Sequence, residues 1–308
     1  QFSETYWFLE RSQMPPGPLP KEQVASLEPF HPAPEQEPPR LSELDQALVK
    51  AVEKASTAPA SDMDVSLEAI RQLLNAGASI SGACALHFDK LGFQVFAGVR
   101  KKDDYDSLLE SSINKLKPIY IDVIQPDTII QATKIMESEL KNIGLYALIN
   151  NAGIVATGPL EFIPIDTLRT QLEVNVIGQI AVTQSLLPLI RIAQGRIINI
   201  SSVSGRVASP FLGPYAASKF ALEALSDSMR LELKPWNIHV SIIEPGPIAT
   251  PIWDKSRKTA QTMINKLPDK AKKLYGNTIK SVMNWENKIN NSMSSPETVV
   301  DAIEHALT

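Results

Sequence analysis

The chain has 308 residues, is 44% apolar and 21% charged, and carries a formal net charge of −4 with a single cysteine, Cys84. That composition is ordinary for a globular protein and excludes wholesale disorder, an intrachain disulfide and a cysteine-cluster metal site. Its four histidines (His31, His87, His239, His305) lack metal-ligand spacing, so no metal is expected. The mild acidity leaves no electrostatic footprint for nucleic acid, and no apolar run is expected to reach the roughly 20 residues that cross a bilayer.

Ten of the 23 prolines fall in the first 60 residues. Pro15, Pro16, Pro18 and Pro20 form one cluster, and Pro29, Pro32, Pro34, Pro38 and Pro39 another. Proline lacks an N–H and disfavours helix at the residue before it, so residues 1–39 read as an extended arm. The arm also carries Phe2, Tyr6, Trp7, Phe8 and Phe30. It reads either as a floppy terminus or as a segment that packs its aromatics on its own domain or a partner. The chain begins at Gln rather than Met, which fits a processed or truncated protein. A soluble protein of a reducing compartment is expected, with an organelle open if a targeting peptide has been removed.

Residues 41–56 (LSELDQALVKAVEKAS) place Leu41, Leu44, Leu48 and Val52 on one helical stripe, and a second helical pattern covers 65–74. From Gly92 onward the texture alternates. Strands are predicted at 93–99, 118–123, 145–150, 196–201 and 239–244, with helical patterns between them, notably around 174–190 and from Tyr215 to Leu233. Short β-branched runs separated by helices predict an α/β fold: a Rossmann-like doubly wound parallel sheet flanked by helices. The chain divides into an N-terminal proline-rich and helical extension, 1–65, and a domain at 66–308.

Tyr215-Ala-Ala-Ser-Lys219 places a phenol and an ammonium about one helical turn apart on one face. A fixed cation favours the phenolate, and bringing a tyrosine from near 10 to neutrality takes roughly 4 kcal/mol. Such a pair can act as an acid/base unit on a hydroxyl or carbonyl. Thirteen residues earlier, Ser202 follows a predicted strand, where open α/β sheets place ligands. Asn150-Asn151-Ala152-Gly153 ends another strand, and its small residues admit a ligand to the backbone. Asn175 lies inside an apolar helical stretch and needs a polar partner if buried. Pro245-Gly246-Pro247-Ile248-Ala249-Thr250 makes a rigid turn after the last strand.

In this order and spacing the set resembles the short-chain dehydrogenase/reductase family, from about Gly77 to the C-terminus. The wording around Tyr215 is similar to the retinol and hydroxysteroid dehydrogenase branch. The resemblance implies roles. Tyr215 would donate or accept the proton. Lys219 would lower its pKa and hold the nicotinamide ribose. Ser202 would position the substrate oxygen, and Asn175 would hold a relay water. Asn150, Ala152, Gly153, Pro245 and Gly246 would border the cofactor. Ile248 and Thr250 would lie near its carboxamide, and Asp122 near its adenine. Residues 251–290 would form the substrate lid. There Trp253, Met263, Ile264, Leu267, Tyr275 and Met283, with Leu274 and Trp285, can line an apolar pocket, although core packing suits most of them.

The family's glycine-rich turn is degenerate here. An ungapped alignment puts Asn75, Ser79 and Ser81 at its three glycine positions. Gly77, Ser79 and Ile80 are then the candidate phosphate-side residues, ahead of a helix N-terminus. The preceding SLEAIRQLL is charged and helix-favouring, unlike a central strand. Arg100, at the end of the second family strand, suits a 2′-phosphate and points to NADP, with NAD possible and no cofactor if the turn is non-functional.

Two functions follow. One is an NADP(H)-dependent oxidoreductase that interconverts an apolar alcohol and its carbonyl (retinoid, steroid or lipid-derived) and assembles as a homo-oligomer. The alternative is a non-catalytic accessory subunit of a larger protein complex, docked through its N-terminal arm.

Overall fold

The computed structural model describes residues 80–307 apart from 115, 251 and 290–292. These all belong to the second of two compact units, Ala51–Thr308. The proline-rich arm, the predicted helices at 41–56 and 65–74, the boundary at 65 and the candidates Gly77 and Ser79 lie outside the described residues.

Helix α1 (Ile80–Lys90) leads into strand β1 (Phe96–Val99), helix α2 (Lys102–Ser111) and strand β2 (Lys117–Tyr120). Helix α3 (Pro126–Leu140) leads to β3 (Ala147–Asn150). Then follow α4 (Ile165–Leu172), a π turn (Glu173–Ile177), α5 (Gly178–Ala193) and β4 (Arg196–Ile200). A 3-10 turn (Val203–Gly205) precedes α6 (Gly213–Glu232), then β5 (His239–Ile243), α7 (Ile252–Lys266), α8 (Asp269–Ile289) and α9 (Glu297–Leu307). All five predicted strands form, shorter than predicted, and β2 starts one residue earlier at Lys117. Where the chain outruns its neighbour it has no ladder to join.

Every strand pair is parallel. Among the described residues β1 pairs with β2, and β3–β4–β5 form a second ladder in that order. Each step within a ladder crosses over through helix, as parallel pairing requires. The fold is therefore the predicted Rossmann-like α/β class.

Alternation along β4 divides two cores. Ile197 points to the layer of α3 and α5, with Met136, Leu186 and Ile190. Ile198 and Ile200 point to the opposite layer, with Phe88 of α1 and Val299 and Ile303 of α9. Ser81 lies within helix α1, not in a loop.

The expectation about apolar length needs amending. Ile165–Ala193, taken as one helical stretch of 29 residues, is long and apolar enough to cross a membrane. In this fold it covers the sheet, with Val182, Leu186, Leu189 and Ile190 inside the core. Apolarity there serves packing, which the sequence pattern alone does not separate from a span.

Candidate active site

Parallel strands release their chains at one edge, and the candidate residues gather there. Ser202 follows β4 directly. Its Oγ accepts the backbone N–H of Ser204 at 3.1 Å, which caps the 3-10 turn. The segment after β5 braces that turn, because Val203 N–H donates to the Pro245 carbonyl at 3.1 Å.

Helix α6 carries the other groups. Pro214 sits in its first turn, where a missing N–H costs nothing. Ser218, Lys219, Leu222, Glu223 and Ser226 are all buried, so the inward stripe of this helix is largely polar. The half-buried Tyr215 turns its phenol toward Ser202. Burial pushes that phenol above the usual tyrosine value, and Ser202 partly offsets this.

Lys219 is 5% exposed. Its Nζ lies 5.8 Å from the Tyr215 ring centroid and donates to the Ile200 carbonyl at 2.7 Å. Burial lowers its pKa to about 8, while the Glu223 carboxylate one turn on works in the opposite direction.

Asn175 occupies the π turn and is fully buried. Its Oδ1 accepts from Ile154 N–H at 2.9 Å, and its Nδ2 donates to the Ile154 carbonyl and Ser218 Oγ, each at 3.0 Å. Ser218 Oγ in turn donates to the Tyr215 carbonyl at 2.7 Å. Asn175 thus ties the loop after β3 to the helix of Tyr215. Ser202, Tyr215, Lys219 and Asn175 form one group.

The flanking candidates divide into two sets. Asn150 is locked inside the fold, its Nδ2 donating at 2.9 Å to both Thr183 Oγ1 and Asn199 Oδ1. Ile248 packs in the second core, and its carbonyl accepts from Trp253 Nε1 at 2.9 Å. Asp122 turns its carboxylate onto the Ile124 N–H at 3.2 Å.

The open candidates are Ala152, Gly153, Pro245 and Gly246, with Thr250 further along. Arg100 is exposed at the end of β1. Ile80 lies in α1, and Ser81 Oγ beside it accepts from Asn151 Nδ2 at 2.6 Å. A methyl group added to Gly246 would meet nothing within 4 Å, and one on Gly153 only atoms at 3.7 and 3.9 Å. The backbone at the ends of β3 and β5 is therefore accessible to a flat group. Lys219 holds two further N–H donors beside it. These features fit the ribose and nicotinamide half of a dinucleotide.

An apolar cavity of about 270 Å³ lies between the Ser209–Leu212 segment before α6 and the two helices α7 and α8. Met263, Ile264, Leu267 and Met283 line it as expected, while Leu274 is exposed and Trp253 turns away. The side chain of Trp285 lies outside the described residues.

Sequence patterns did not single out Gln171 and Gln179. Gln171 takes Ala156 N–H at 2.6 Å and gives to the Ile154 carbonyl at 2.8 Å, while Gln179 gives to the Ala152 carbonyl at 2.5 Å. Both are at most 1% exposed and hold the loop after β3 in place. A polar side chain at a helical position predicted to be buried is the signal that marks them.

Residues 73–261 match the short chain dehydrogenase family. D-beta-hydroxybutyrate dehydrogenase, mitochondrial, of Rattus norvegicus is 36% identical over 236 residues, 73% of this chain and 69% of that protein. Retinol dehydrogenase 5 of Mus musculus is 36% identical over 230 residues, 73% of this chain and 72% of that protein. The solved structure of a short-chain dehydrogenase from Streptomyces avermitilis superposes with a TM-score of 0.51 at 29% identity, covering 55% of this chain and 62% of that one.

The fold and these matches define an α/β oxidoreductase of the dinucleotide-binding class. The chain belongs to the short-chain dehydrogenase family, in its retinol and hydroxysteroid dehydrogenase branch. Members act on alcohols and carbonyls with NAD(H) or NADP(H).

Proposed function

We propose that this chain interconverts an apolar alcohol, retinoid, steroid or lipid-derived, and its carbonyl with NADP(H). The observation that carries this reading is the Ser202–Tyr215–Lys219 group, together with an apolar cavity lined by the Ser209–Leu212 segment that leads into the helix of Tyr215. Lys219 would hold the nicotinamide ribose, Gly153 and Pro245-Gly246 would border the ring, and Arg100 would meet a 2′-phosphate. When bound, the nicotinamide supplies or accepts hydride at the substrate carbon.

The chain's own groups handle the oxygen and the proton. In reduction, the Tyr215 phenol gives its proton to the carbonyl oxygen. Ser202 Oγ donates a hydrogen bond to the same oxygen as charge develops. The Lys219 ammonium steadies the phenolate that remains. Burial raises the pKa of the phenol, so it holds the proton that carbonyl reduction needs, and the phenolate that alcohol oxidation needs becomes more available as pH rises. The Asn175 amide is already bound on both sides and holds the π turn. A relay water at this point would take the remaining lone pair of Oδ1 or the main chain of that turn.

NADPH and NADH titrated into the protein, followed by nicotinamide fluorescence, test the cofactor. Saturable binding favouring NADPH, with turnover of retinal or a steroid ketone lost at least a hundredfold in Tyr215→Phe, is the expected outcome. No saturable binding at millimolar cofactor rejects it.

One feature favours the accessory-subunit reading: Asn75, Ser79 and Ser81 replace the turn glycines, and each added side chain crowds a backbone approach to phosphate. On that reading, cofactor binding fails and deletion of residues 1–40 disrupts a larger complex.

A further inference from the structure

Glu223 is the buried charge that the mechanism above leaves unused. Its side chain is 6% exposed, one helical turn beyond Lys219 on the inward stripe of α6. Neither carboxylate oxygen accepts a hydrogen bond among the described residues. An ionised carboxylate in such a place is costly unless other charges compensate it. Two cations do so. Lys219 stands one helical turn back on the same buried stripe of α6, where its ammonium and the carboxylate attract without an ion-pair contact. Arg206 Nη2 reaches Oε2 at 3.1 Å.

Arg206 immediately follows the 3-10 turn that Ser202 caps. Its guanidinium also donates to Glu244 Oε1, from Nε at 3.1 Å and Nη2 at 2.9 Å. Glu244 is the residue before Pro245-Gly246. A chain of alternating charge thus runs from Lys219 through Glu223 and Arg206 to Glu244. It joins the helix of the tyrosine, the turn of the serine and the strand end that would border the nicotinamide.

The backbone is shaped to admit this carboxylate. Gly205 lies directly over it. A methyl group there would stand 2.9 Å from Glu223 Oε1 and 2.8 Å from Ser201 Oγ, closer than real contacts allow. A glycine at this position lets the serine turn close onto α6 with the carboxylate between them.

Resting on the reading of Lys219 as part of the reaction centre, we propose that Glu223 is a positioning residue for that centre. Its carboxylate keeps the Lys219 ammonium charged and, through Arg206, clamps the turn of Ser202 against the helix of Tyr215. An ordinary buried ion pair would also stabilise the fold. The difference is that this one faces the lysine on which the phenolate depends. The charged and titratable groups around it are Lys219, Tyr215 and Asp227 on α6, Arg206 on the serine turn and Glu244 after β5.

The test titrates Lys219 directly in cofactor-free, full-length protein. Lysine labelled with ¹³C at Cε is followed by NMR, with the Lys219 signal assigned by its loss in Lys219→Arg. The wild-type midpoint is expected near 8. Glu223→Gln lowers it by about one pH unit or more, since an opposite charge nearby favours the charged form by that order. Arg206→Gln moves it the other way, because the carboxylate is then no longer shared. An unmoved or raised midpoint in Glu223→Gln overturns the proposal. If that variant does not fold, an unmoved or lowered midpoint in Arg206→Gln overturns it instead.

The positioning role is read in parallel from steady-state carbonyl reduction. Glu223→Gln should lower kcat at least tenfold while KM changes less than twofold, and Glu223→Asp should recover part of the loss. Unchanged kcat alongside a lowered melting temperature makes the pair merely structural and overturns the positioning role. A wild-type protein without turnover sinks the functional reading, and the lysine titration still decides the role of Glu223.

Discussion

Lys219 illustrates what the site costs the fold. Its pKa falls from 10.5 to about 8 because burial strips water from the ammonium. In the unfolded chain the same group holds its proton up to about 10.5. Between those values the unfolded state binds more protons than the folded one, so this residue makes stability rise with pH across that window. Below pH 8 the full penalty is present, about 3 kcal/mol at 1.36 kcal/mol per pH unit. Urea unfolding from pH 7.5 to 10.5 should show wild-type stability climbing by up to that amount relative to Lys219→Met. Parallel curves for the two proteins would show that the buried ammonium carries no such penalty. The tyrosine, serine and lysine were legible in the sequence because two of them share one helix at a fixed spacing and the third ends a strand. The groups that hold them were not. Asn150 meets Asn199 across 49 residues, and Ser218 meets Asn175 across 43. Only the path of the chain brings such partners together, and no local pattern encodes it.

At the scale of elements, the apolar stretch around 174–190 reads in sequence as one helix but is interrupted by the π turn at Glu173–Ile177. One wide turn rotates Asn175 toward the Ile154 loop, where its amide makes three bonds; such turns concentrate at functional sites. The lid shows a second local device. Tyr275 of α8 donates its hydroxyl to Glu161 at 2.9 Å and meets Phe162 and Phe211 edge-on at 6.0 and 6.1 Å. Phe211 also lines the apolar cavity, so this cluster joins the lid helix to the cavity wall. The hydrogen bond is exposed and contributes little by itself. The edge-on ring contacts are the favourable aromatic geometry and carry most of the attachment. Tyr275→Ala should therefore raise KM for an apolar carbonyl about tenfold with kcat nearly unchanged, while Tyr275→Phe should alter KM less than twofold. A large loss in Tyr275→Phe would assign the work to the hydroxyl instead. That helical chain follows the last strand was legible in the sequence, but which of its side chains face the cavity depends on how α7 and α8 fold over it.

Across the whole molecule, the core under α3 and α5 runs through both ladders. The α3–α5 layer touches Ile119 of β2 as well as Ile197 of β4 and Val240 of β5, so β1–β2 and β3–β5 are packed as one layer although no described strand pairs them. The opposite layer is closed by the C-terminal helix, where His87 of α1 meets Glu304 of α9 at 2.6 Å and Tyr146 donates to the Leu307 carbonyl at 2.8 Å. The last residues of the chain thus belong to the structural frame, and truncation there should be severe. The N-terminal side differs. The family match begins at residue 73, and the described residues from Ile80 onward already fill a core on each face of the sheet. A protein beginning at residue 66 should therefore melt within about 2 °C of the full chain, since a change below 0.5 kcal/mol moves a domain of this size by no more than that. Its nicotinamide fluorescence titration should be unchanged. A midpoint lower by more than about 5 °C would place part of residues 1–65 within the domain and move its boundary toward the N-terminus. A full-length protein that binds cofactor, beside a shortened one that melts normally but does not, would assign the extension to the site rather than to the frame.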